Sequence, residues 1–72
     1  MENYNGTMLL NAAMHLQVGE MFTVKYSTLK EARNAANGAG NKRLMEGLKN
    51  NLKIKRWTSG SNEYFITVTR LL

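Results

Sequence analysis

The chain contains no cysteine, no proline and no aspartate. Without cysteine, neither a disulfide nor a thiolate-ligated zinc can reinforce the fold. That usage fits a reducing compartment, so the expectation is a cytoplasmic protein, nucleoid-associated if it binds DNA. No apolar run approaches the roughly 20 residues needed to cross a bilayer. The N-terminus also lacks a basic region followed by a long apolar stretch, so the sequence reads as soluble with no membrane partner. The only histidine, His15, has no cysteine or aspartate to join it in a metal site or catalytic triad. All carboxylate side chains are glutamates far apart in sequence, which argues against a pair for acid–base chemistry. Gly38 and Gly40 lack the lysine and hydroxyl that a phosphate-binding loop needs at fixed spacing after a strand. The sequence therefore points to no enzyme, no metal and no cofactor.

A chain of 72 residues makes one domain with a modest core, a size at which a homodimer is a natural means of support. Its net charge of +5 is unevenly placed. Between residues 42 and 56 stand Lys42, Arg43, Lys49, Lys53, Lys55 and Arg56 against Glu46 alone, which accounts for the whole net charge. Elsewhere Lys25, Lys30, Arg33 and Arg70 balance Glu2, Glu20, Glu31 and Glu63. Local positive potential is what a polyanion requires, so nucleic acid leads as the partner class.

The periodicities predict an α+β domain of three helices, a short strand and a C-terminal β-hairpin. Thr7 is placed to cap a mostly buried first helix over residues 8–16, and residues 20–26 read as a strand with Phe22, Val24 and Tyr26 on one face. Thr28 and Glu31 form a capping box that opens a second helix, whose inner side carries Leu29, Ala32, Ala35 and Ala36. That small-residue face lets a neighbouring helix approach closely. Asn37, Gly38, Ala39 and Gly40 are expected to stop the helix, because Asn and Gly accept a left-handed backbone. Asn41 then caps a third helix over residues 42–50, with Leu44, Met45 and Leu48 inward and Gly47 beside its polar face, either as a place for a partner to approach closely or as tolerated slack. A period of two follows, with Leu52 and Ile54 alternating with Lys53 and Lys55. A polar turn at 58–62 and a second strand at 64–71 complete the hairpin.

This order of elements, with basic residues on the third helix and the hairpin, resembles the winged helix-turn-helix family. The resemblance rests on topology and charge placement. It implies that the third helix enters a DNA major groove while the hairpin lies beside it as a wing, and hence a small duplex-DNA-binding regulator of transcription or replication of the phage or mobile-element type. On a helical wheel Arg43, Glu46 and Asn50 stand opposite the apolar side, flanked by Lys42 and Lys49. Arginine pairs with guanine, asparagine with adenine and glutamate accepts from cytosine, so Arg43 and Asn50 are the leading base-contact residues and the lysines meet phosphate. In the hairpin, Lys53, Lys55 and Trp57 share a face, with Arg56 between them. Two other readings stand beside this one. The basic surface could dock on an acidic groove of a host nucleic-acid enzyme, making the protein an inhibitor, or Trp57, Tyr64 and Phe65 could stack on unpaired bases of single-stranded nucleic acid or RNA.

Overall fold

A computed structural model describes residues 4–48 and 50–72. Two helices, α1 (Gly6–Ala13) and α2 (Leu29–Met45), pack on one side of an antiparallel sheet made of β1 (Met21–Tyr26), β2 (Leu52–Thr58) and β3 (Tyr64–Arg70), in the strand order β1-β3-β2. The α+β class matches the sequence reading. The architecture of three helices does not.

A single helix of 17 residues runs through the segment where a stop was expected at Asn37 to Gly40, so α2 replaces the anticipated second and third helices. No turn separates two helices, and the winged-helix arrangement is overturned. Gly and Asn weaken a helix without forbidding it, at about 1 kcal/mol for a glycine, and here packing decides. Ala32, Ala35 and Ala39 keep helical spacing straight through the segment and are all buried. The first turn of α1 crosses them so closely that a Cβ on Gly6 would lie 2.4 Å from the Ala39 nitrogen and 2.5 Å from the Gly38 carbonyl carbon. The small residues that looked like a stop signal therefore form a helix crossing.

The helix ends at Gly47, which has φ +70°. The Gly47 N–H donates to the Leu44 carbonyl at 3.2 Å and the Leu48 N–H to the Arg43 carbonyl at 2.8 Å, the paired bonds of a Schellman closure. Because the phase of α2 is set by its alanines, Leu44 (56% exposed) and Met45 (85% exposed) face solvent, against the expectation that they point inward; Leu48 is half-buried against the core. Asn50, expected on the third helix, sits in the turn that leads into β2.

The first helix is capped by Asn5 rather than Thr7, since the Met8 N–H donates to Asn5 Oδ1 at 2.9 Å. Leu9, Leu10 and Ala13 are buried while Met8 and Met14 stay exposed, so α1 is less enclosed than its composition suggested. Thr28 does cap α2, accepting from the Glu31 N–H, and its hydroxyl donates to the Glu31 carboxylate, both at 3.1 Å. Tyr26, Leu52, Ile66 and Val68 join the buried residues of both helices in one cluster. Arg70 ties the chain after α1 to β3 through a 2.7 Å bond from Nη1 to the Leu16 carbonyl. Among the described residues no helix is long and apolar enough to cross a membrane.

Candidate nucleic-acid interface

Alternation along β3 divides the sheet. Ile66 and Val68 are buried beneath the helices, so Phe65, Thr67 and Thr69 belong to the other face, which no helix among the described residues covers. The register builds rows across that open face: Met21 and Lys53 flank Thr69, Thr23 and Lys55 flank Thr67, and Lys25 and Trp57 flank Phe65. A shallow depression of about 500 Å³ lies over these rows, lined by Met21, Thr23, Lys53, Lys55, Trp57, Thr67 and Thr69.

Trp57 is fixed within it. Its indole stacks on Phe65 with ring centroids 4.4 Å apart and planes 20° from parallel, and its Nε1 donates to Thr67 Oγ1 at 2.9 Å. Thr67 in turn shares a 2.8 Å hydrogen bond with Thr23 Oγ1. Stacking and hydrogen bonding hold the ring against the sheet, and 38% of the residue remains exposed. At the same end of the sheet Lys25 Nζ pairs with Glu63 at 2.7 Å. That bond, with a second from the Ser59 hydroxyl, holds the Glu63 carboxyl below its ordinary pKa. Among the described residues Lys53, Lys55 and Arg56 have no carboxylate within ion-pair distance.

The basic stretch that is continuous in sequence divides in space. Lys42 pairs with Glu46 at 3.0 Å, an i,i+4 bridge on α2. Arg43 follows Ala39 on the inner stripe and donates from Nη1 to the Leu52 carbonyl at 2.9 Å, fastening the end of α2 to the start of β2. Lys53, Lys55 and Trp57 share the open face as the alternation predicted, whereas Arg56 points to the helix side at the exposed edge strand. Lys49 lies outside the described residues. Of the aromatics proposed for stacking, Phe65 joins Trp57, but Tyr64 is on the opposite face, half-buried against the core. Thr23, Thr67 and Met21 were not singled out by sequence. The period-two pattern of β3, with Ile66 and Val68 as its apolar positions, is the signal that would have placed Thr67 on the uncovered side.

His15 lines a separate shallow depression with Tyr4, Met8, Asn11 and Ala12 on the outer side of α1. No protein-family model matches the chain, and neither a curated protein nor a solved structure matches it.

Proposed function

We propose that this protein binds single-stranded nucleic acid across the open face of its sheet, with a base stacked on Trp57 and the backbone phosphates meeting Lys53 and Lys55. The observation that carries this reading is the pinned indole beside two lysines that no acid among the described residues neutralises. An aromatic ring already ordered by Phe65 and Thr67 loses little freedom when a base stacks on it, and stacking tolerates every base because each has a π-face. Lys53 and Lys55 are two residues apart on one strand, about 6.7 Å, a separation suited to neighbouring phosphates of an extended strand. A recognition helix in a duplex groove is less well supported, because Arg43 is committed to the Leu52 carbonyl and Lys42 to Glu46.

The test is a titration of Trp57 fluorescence with short single-stranded and duplex oligonucleotides at several salt concentrations. Quenching by the single strand, with affinity falling as salt rises, is the expected result. Trp57→Ala, read by anisotropy of a labelled oligonucleotide, should cost about 1–3 kcal/mol of binding. Lys55→Ala should reduce the slope of log K against log salt by about 0.7. Tighter binding to duplex, or an affinity indifferent to salt, would overturn the reading, and the second result would favour a protein partner.

A further inference from the structure

The two edges of the sheet differ. The β2 edge carries Lys53, Lys55 and Arg56 with no acid beside them among the described residues, and such cations discourage another strand from adding there. The β1 edge carries only Lys25, whose charge Glu63 already neutralises at 2.7 Å. Nothing in β1 itself blocks pairing: it has no proline and no unpaired charge.

The ladder shows which backbone groups are available. The Arg70 N–H donates to the Glu20 carbonyl, so residues in phase with Glu20 (Phe22, Val24 and Tyr26) turn their backbone groups toward β3. Met21, Thr23 and Lys25 turn theirs outward. The apolar side chains tell the same story, since Phe22 and Val24 face the core yet remain only half-buried at this edge.

We infer that two copies of this chain pair antiparallel along β1, joining their three-stranded sheets into one continuous sheet. Centring the two-fold axis on Thr23 uses the outward N–H and C=O groups of Met21, Thr23 and Lys25 completely. It sets Phe22 of each copy beside Val24 of the other, where they cover the apolar surface that one copy leaves open. Lys25 then lies opposite Met21 of the second copy, and no like charges oppose one another. Because the two open faces become continuous, their depressions come to lie on one side of the dimer. The pairing itself does not depend on the nucleic-acid reading and is tested without any oligonucleotide.

Sedimentation velocity of the full chain across the micromolar range should show a reversible dimer. Thr23→Lys, which places lysines opposite one another at the axis, should weaken dimerisation by up to about fivefold, the upper end of what a cross-strand side-chain pair is worth, since like charges directly opposite are destabilising. Circular dichroism establishes whether that variant stays folded. Hydrogen exchange of the unaltered protein supplies an independent readout: the amides of Met21, Thr23 and Lys25 should become protected as concentration rises. A chain that stays monomeric throughout that range would overturn the proposal. So would a dimer in which those three amides remain unprotected, or one abolished by Met45→Lys at the far end of α2 and unaffected by Thr23→Lys.

Discussion

Gly6 rests on the backbone of Ala39, with no room between α1 and α2 for even one added carbon. Replacing Gly6 by alanine would put a Cβ 2.4 Å from the Ala39 nitrogen, and neither helix backbone can yield as a flexible side chain would. Overpacking of this kind costs about 1–3 kcal/mol. In a core whose α2 face is built from alanines, Gly6→Ala should lower the melting temperature sharply, as measured by thermal denaturation followed by circular dichroism.

Gly40 is the opposite case. It lies inside α2, and an added Cβ would meet nothing within 4 Å. Gly40→Ala should therefore stabilise the protein by roughly 0.5–1 kcal/mol through helix propensity alone. This substitution also tests the continuity of α2, because a left-handed turn at this position would make alanine destabilising. Urea denaturation of the two proteins side by side gives the sign.

Arg43 carries a structural role. Its Nη1 bond to the Leu52 carbonyl is lost in Arg43→Ala, leaving that carbonyl without this partner at a cost of about 1–3 kcal/mol. The guanidinium Nε is buried with no partner of its own among the described residues, which offsets part of the bond's benefit. The expected result is a clear loss of stability with oligonucleotide affinity retained. Lys55→Ala should show the reverse pattern, and the same denaturation and anisotropy measurements compare them.

Alkaline pH should reveal Tyr26. Its hydroxyl donates to the Tyr4 carbonyl at 2.5 Å, and burial, aided by the nearby Glu31 carboxylate, pushes its pKa from 10.0 up to about 12. The unfolded chain releases this proton first, so the contribution is intact below pH 10.0 and is lost as pH rises towards 12. Tyr26→Phe keeps the ring and removes the titration. The difference in melting temperature between the two proteins should accordingly shrink across that interval.

Much of the fold was legible where one side chain or one alternation suffices. The Thr28 cap, the strand ending at Tyr26, the hairpin and the shared face of Lys53, Lys55 and Trp57 all follow from local rules. Asn37 to Gly40 misled because a glycine has two uses, as a left-handed stop and as a place for close approach. The choice between them depends on whether another helix arrives, which here is set by Gly6, far away in sequence. Gly47, read within a helix as a place of close approach or as slack, is the left-handed residue that ends one.

By itself the sequence determined the class of the fold, the site of the hairpin, the overall positive charge and the partition of β2 into two faces, because these depend on composition and on periods of a few residues. Tertiary structure decided which cations remain free, by turning Arg43 inward, pairing Lys42 with Glu46 and placing Arg56 on the face opposite Lys53 and Lys55. It also assembled the bed beneath Trp57 from Phe65, Thr67 and Thr23. Those contacts join three strands, and the sheet register that aligns them is a property of the folded chain.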